Sequence, residues 1–145
     1  MPASPIVQGL LLFSLAACGY GLVKGGRAER IAALIILINF AIGAVGNPML
    51  GGAGLVFRLV NDAVAAFGLM ALAVIYGSLW LGIAMLLYGG QFTLHAYYFV
   101  AGRSVSDHFH AVVNNALFFA ISTSLVAGTT LAWRRRIRAE RGLTL

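Results

Sequence analysis

Long apolar runs, interrupted at a few points by charged or turn-forming residues, dominate the chain. A helix that crosses a bilayer needs about 20 mainly apolar residues. The stretch 63–102 has forty residues without Asp, Glu, Lys or Arg. As one helix it would be roughly 60 Å long, about twice the hydrocarbon thickness, so Gly77 and Ser78 are the expected turn within it. The pattern predicts an all-α membrane protein, a bundle of about five transmembrane helices at 6–23, 28–45, 59–76, 79–100 and 108–133.

Local signals predict where two of these helices begin or end. Asn47 and Pro48 should end the second helix, because proline disfavours helical conformation in the residue before it. Ser104, with Asp107 three residues later, resembles a capping box at the start of the fifth helix. The whole chain, 1–145, is then a single transmembrane domain.

Basic residues are concentrated in two places. Eight of the ten lie either in the link between the first two apolar segments or in the carboxyl-terminal tail 134–145. Lysine and arginine are retained on the cytoplasmic side during insertion. Five spans therefore predict an amino terminus outside, a carboxyl terminus inside and a basic cytoplasmic tail. Its lipid-facing arginines would be Arg134, Arg135, Arg136 and Arg138.

Composition narrows the functional classes. Hydrophobic residues make up 61% of the chain and charged residues 10%, against roughly 25% charged in a soluble domain. The formal charge is +6, but the basic residues flank apolar runs and no aromatic residues alternate with them to stack on bases. Nucleic acid is therefore not an expected partner. One cysteine and three histidines cannot form a Cys-rich zinc site, and four acidic residues leave no carboxylate pair for acid–base catalysis. We expect no metal and no catalytic residue.

A stripe of small residues runs along the fifth segment at four-residue spacing. Such spacing puts small side chains on one helix face, where they allow another helix to approach closely. This predicted helix-packing interface either holds the protein's own bundle together or docks against another membrane protein. Its members are Ala116, Ala120, Ser124, Gly128 and Ala132.

Polar residues inside the apolar segments are the default candidates for function, since they are costly in a membrane. They fall at similar depth near the predicted outer side, and the candidate cofactor-binding residues are Asp62, His95, His110 and Asn114. Such a cluster could be a protonatable site, a quinone head-group site, or a haem b site with His95 and His110 as iron ligands. A purely structural alternative pairs Asp62 with Arg58 and uses the other side chains for hydrogen bonds between helices.

The order of several features resembles a group of small, uncharacterised bacterial multi-spanning inner-membrane proteins. The resemblance runs from the segment 26–30 (Gly-Arg-Ala-Glu-Arg) through Asp62, Trp80 and His95 to Gly128 and Thr129. In such proteins a glutamine is expected seven residues before the histidine, where this chain has Tyr88. The resemblance implies a multi-pass protein of the bacterial inner (cytoplasmic) membrane and carries no known activity.

Three functional hypotheses follow. The preferred one is an accessory or structural subunit without a cofactor, packed against other integral membrane proteins of a larger complex and against membrane lipids. It is favoured by the small-residue stripe and by the lack of a catalytic set. The alternatives are a small redox protein that binds haem b or quinone through the Asp/His/Asn cluster, and a small carrier.

Overall fold

The computed structural model describes residues 5–49, 54–104 and 106–142, and every regular element in those ranges is an α-helix. The predicted all-helical fold is confirmed to that extent. Three of these helices, Pro5–Lys24, Gly54–Tyr76 and His108–Glu140, are long and apolar enough to cross a membrane. The five helices are α1 (Pro5–Lys24), α2 (Arg27–Met49), α3 (Gly54–Tyr76), α4 (Leu79–Val100) and α5 (His108–Glu140).

Two helix boundaries beside the α2–α3 link differ from the prediction by several residues. α2 runs to Met49, so the expectation that Asn47 and Pro48 end it is wrong. A proline this close to the carboxyl end disturbs only the last turn, where few backbone hydrogen bonds remain to be lost. α3 starts at Gly54, five residues before the predicted start, so Arg58 lies inside the helix.

The carboxyl-terminal tail continues the fifth helix. α5 extends to Glu140, and the four predicted lipid-facing arginines are exposed on its last turns. No glycine or proline interrupts this stretch until Gly142, whose φ of 64° is the left-handed conformation that commonly ends helices. The predicted turn between α3 and α4 is confirmed, and Gly77 supplies its positive φ of 58°.

Each helix packs against its neighbours in the chain, and α1 packs against α5 to close a ring. The α1–α5 pair is parallel, because contacts advance along both helices together. The hydroxyls of Ser14 and Ser122 share a hydrogen bond of 2.5 Å, and those of Tyr20 and Thr130 share one of 3.1 Å. The other neighbouring pairs run antiparallel, as expected for helices joined by short links.

The two basic clusters lie at one end of the bundle, hereafter the basic end. The Arg136 guanidinium donates a hydrogen bond to the carbonyl oxygen of Lys24. The Lys24 ammonium lies 5.2 Å from the ring centroid of Trp133, a cation–π distance. The parallel α1–α5 pair is what brings the end of the first helix and the last turns of the fifth together.

Small residues fill the centre of the bundle and large apolar ones cover its outside. Ala17, Ala33, Ala65 and Ala84 are buried, which lets the helix backbones approach closely. Large apolar side chains are exposed on all five helices, including Leu12, Ile38, Val74, Leu86 and Leu131. An apolar exterior on every helix is the surface that lipid, rather than water, would cover.

The small-residue stripe of α5 faces different surroundings along its length. Gly128 is buried against the indole of Trp80 on α4. Ala120, Ser124 and Ala132 are half-buried, and Ala116 is exposed. The stripe thus serves the internal α4–α5 contact near the basic end and reaches the surface toward the other end.

Candidate functional site

Four polar side chains line one face of α4 toward the end opposite the basic clusters. Tyr88, Gln91, His95 and Tyr98 follow one another at intervals of three, four and three residues, and all are buried. This spacing keeps side chains on one side of a helix. The face meets α3 through Asp62 and α5 through His110.

The carboxylate of Asp62 is positioned by α2. Asn39 Nδ2 lies 3.4 Å from Asp62 Oδ1, to which it donates, and 3.1 Å from the carbonyl oxygen of Asn61. In return, Asn61 Nδ2 donates to the Asn39 carbonyl oxygen at 2.8 Å. This reciprocal amide pair fixes α2 against α3 and holds Asp62 at the centre of the bundle, where it is 6% exposed.

Asp62, His95 and His110 form a continuous polar chain, hereafter the relay. Asp62 Oδ2 lies 3.4 Å from His95 Nε2, and His95 Nδ1 lies 3.1 Å from His110 Nε2. If His95 carries its proton on Nε2, toward the carboxylate, its Nδ1 accepts a hydrogen bond from the Nε2–H of His110. The structure thus brings Asp62 and His95 together, which the sequence left open, and His110 lies in direct contact with His95.

One oxygen of Asp62 lacks a full hydrogen bond. Oδ2 is buried and makes no hydrogen bond with any residue in the described ranges, since its contact with His95 is only an ion-pair distance. A buried carboxylate oxygen without a donor is costly in a low-dielectric interior. Such an atom is a natural acceptor for a ligand hydroxyl or for a proton.

The far end of the relay is held by the start of α5. The ring of Tyr98 packs edge-on against His110, with centroids 4.8 Å apart at 68°. The Tyr98 hydroxyl donates to Asp107 Oδ2 at 2.6 Å, while Asp107 Oδ1 accepts from the Phe109 backbone N–H at 3.3 Å. These two hydrogen bonds lower the pKa of Asp107 below its ordinary value, and the hydrogen bond from Tyr98 has the larger effect.

The predicted capping box at this point is wrong in detail. Asp107 itself is the N-cap residue of α5, whereas Ser104 pairs with the hydroxyl of Ser106. The carboxylate is one residue before the helix and so reaches the first free amides without help from Ser104.

A polar pocket of about 360 Å³ opens beside the relay. Gln91 Nε2 lies 3.4 Å from Asn114 Oδ1, to which it donates, and both residues line the pocket. Asn114 therefore joins the site through Gln91. The polar part of the wall also contains Asn39, Arg58, Asn61, Asp62, His95 and Asn115, and the apolar part contains Val7, Leu10, Leu11, Phe40 and Phe118.

The geometry does not fit haem b. Metal–imidazole bonds are about 2 Å long, so an iron between two histidines needs nitrogens about 4 Å apart. The facing nitrogens of His95 and His110 are 3.1 Å apart and bond each other directly. Among the described residues, no group of three or more His, Cys, Asp or Glu side chains is placed to hold a metal ion. The pocket beside the relay, with its volume of about 360 Å³, does fall in the range of small-molecule sites, about 300–1,000 Å³.

The sequence did not identify every residue of the site. Asn39 and Tyr88 were not candidates, although Tyr88 is 1% exposed and its hydroxyl has no hydrogen-bond partner in the described residues. The regular spacing of Tyr88, Gln91, His95 and Tyr98 was the available signal for the α4 face.

The fold and site define the class as an all-helical protein with helices able to cross a membrane and an open pocket with a partly polar wall between them. No protein-family model, curated protein or solved structure matches this chain. The pocket and the two ends of the bundle are therefore the features that bear on its function.

Proposed function

We propose that all five helices cross the bacterial inner membrane, with the amino terminus outside and the basic end in the cytoplasm. The proposal adds two helices to the three that are long and apolar enough to span, namely α2, with 23 residues, and α4, with 22. At 1.5 Å per residue they are about 35 and about 33 Å long, enough for a hydrocarbon core of about 30 Å. Their exposed apolar side chains and the clustering of basic residues at one end support this orientation.

We further propose that the pocket binds the head group of a quinone-class lipid. The observation that carries this proposal is Oδ2 of Asp62, a buried acceptor without a hydrogen bond at the wall of a pocket of suitable size. A quinol hydroxyl can donate to that oxygen. Quinone oxygens can accept from the amide groups of Asn114 and Asn115, and the apolar wall suits the ring and the start of its tail.

The relay adds a route for a proton. His95 and His110 connect Asp62 to the outer end through atoms 3.4 and 3.1 Å apart. Histidine is the side chain whose ordinary pKa suits proton exchange near neutral pH. In this proposal a proton moves between the pocket and the outer end of α5 through the two imidazoles.

The test is direct binding of decylubiquinol and decylubiquinone to the purified full chain in detergent, measured by isothermal titration. Asp62→Asn should weaken quinol binding by about tenfold, because a hydrogen bond to a charged group contributes about 1.5 kcal/mol or more. Quinone binding should change much less. His108→Gln is the matched control, since His108 is exposed and lies outside the pocket. Failure of the wild type to bind either form contradicts the proposal.

The accessory-subunit hypothesis stays a prediction, as does the carrier alternative. Replacing Gly128 by leucine does not isolate a partner interface, because that position packs against Trp80 inside the bundle. Ala116 is exposed on the same stripe, so Ala116→Leu is the better variant. We expect the wild type to co-elute with a larger complex after mild extraction and the variant to be released from it. Elution of the wild type alone would contradict the subunit hypothesis.

A further inference from the structure

A second cavity, hereafter the basic-end groove, lies at the other end of the bundle. It has a volume of about 660 Å³ and is formed by the start of α2, the α3–α4 turn, the start of α4 and the part of α5 from Ser124 to Arg135. Ile83 and Leu131, both exposed, give it an apolar wall. Arg27 and Arg135, also exposed, lie at its charged edge. The groove thus combines an apolar wall with two cations at the proposed membrane surface.

The hydrogen-bonding groups of the groove favour an anion. The indole Nε1–H of Trp80 is buried and has no acceptor among the described residues. Ser78, at the start of α4, makes no side-chain cap to that helix. One carboxylate, that of Glu29, also lines the groove, but it accepts from the Gly26 backbone N–H at 2.9 Å. The lining therefore holds two arginines and one unpaired indole N–H against a single carboxylate that already accepts a hydrogen bond.

We propose that the basic-end groove binds one anionic phospholipid from the inner leaflet. Its phosphodiester would lie between Arg27 and Arg135, and one acyl chain would run along Ile83 and Leu131. Arginine suits this role because its planar guanidinium binds phosphate oxygens in pairs. A free phosphate would use the cations but leave the apolar wall unoccupied, so the amphipathic ligand is the better match.

This site is separate from the quinone pocket. The two cavities share no lining residue and lie at opposite ends of the bundle. The lipid proposal depends on membrane insertion but not on quinone binding, so either can fail while the other holds.

The experiment measures lipid retained by the purified full chain, using native mass spectrometry with dioleoyl phosphatidylglycerol and dioleoyl phosphatidylcholine in equal amounts. The wild type should retain phosphatidylglycerol preferentially. Each arginine removed should reduce that preference by about fivefold, the effect of one basic residue near an anionic membrane surface. The test variant is Arg27→Gln with Arg135→Gln. Its matched control is Arg134→Gln with Arg138→Gln, which removes the same charge outside the groove.

A second pair of variants tests the apolar wall. Ala127 is exposed and lines the groove, so Ala127→Trp should displace the lipid while leaving the core intact. Ala116→Trp, at an exposed position outside the groove, should retain it. Equal loss in the test and control variants would overturn the proposal, because the charge effect would then be diffuse. Complete displacement of the lipid by inorganic phosphate would also overturn it and indicate a soluble-anion site.

Discussion

Gly128 shows how one residue without a side chain sets the separation of two helices. A Cβ atom built at this position overlaps the indole of Trp80. The overlap includes Cγ, the ring atom next to the Trp80 backbone, so it is not relieved as easily as a contact with the end of a flexible chain. In a membrane, where apolar burial contributes little between helices, such close contacts are a main source of bundle stability.

We therefore expect Gly128→Ala to destabilise the protein by about 1–3 kcal/mol, the usual cost of overpacking. Gly82→Ala is the control, because Gly82 lies in α4 with open space around its Cβ position. That change should be neutral, or stabilising by up to about 1 kcal/mol, since alanine is the better helix former. Unfolding in mixed micelles, followed by tryptophan fluorescence, measures both. Equal shifts in the two variants would show that the contact with Trp80 is unimportant.

At the scale of elements, the start of α5 is tied to the end of α4 through one carboxylate. Asp107 caps α5 and accepts a hydrogen bond from Tyr98, which also packs against His110. The helix cap and the end of the relay therefore share a support. The pKa of Asp107 is lowered because these hydrogen bonds favour its charged form.

This lowered pKa gives a pH dependence with a definite sign. The ionised carboxylate contributes stability above the unfolded-state pKa of about 3.9, and the contribution is lost as pH falls through the lower folded-state value. Tyr98→Phe removes the largest cause and should raise the pKa of Asp107 toward its ordinary value. A carboxyl ¹³C NMR titration measures this shift. Tyr97→Phe is the control, because the Tyr97 ring lies over Arg103 instead; an equal shift there would contradict the assignment.

At the scale of the whole molecule, the ring of helices predicts which ends share a membrane side. In a Cys18→Ala background, single cysteines replace Ser78, Ser106 and Glu140. We expect a membrane-impermeant maleimide to label position 106 in intact cells and positions 78 and 140 only after permeabilisation. This pattern follows from the proposed topology, in which α4 (Leu79–Val100) and α5 (His108–Glu140) both cross the membrane. Labelling of positions 78 and 106 from the same side would show that α4 does not span.

Much of the helical framework was predictable from residues close together in the chain. Apolar runs of about 20 residues and the Gly77 turn predicted five helical segments, and the residues that the structure describes form five helices. The predicted end of α2 was wrong because Pro48 was expected to end the helix, whereas the last turn of α2 includes it. The polar candidates Asp62 and His95 were also identifiable, because polar groups stand out in an apolar segment.

The sequence by itself thus determined the helical content, the approximate bounds of the helices and the grouping of basic residues, since these depend on composition and local spacing. Only the tertiary structure decided the contact of His95 with His110, the role of Asn39 and the pairing of Trp80 with Gly128. It also decided that a groove forms beside Arg27. These features depend on how each helix is rotated about its axis and which helix closes the ring. That choice is made by side-chain packing between distant segments, which periodicity along one helix does not specify.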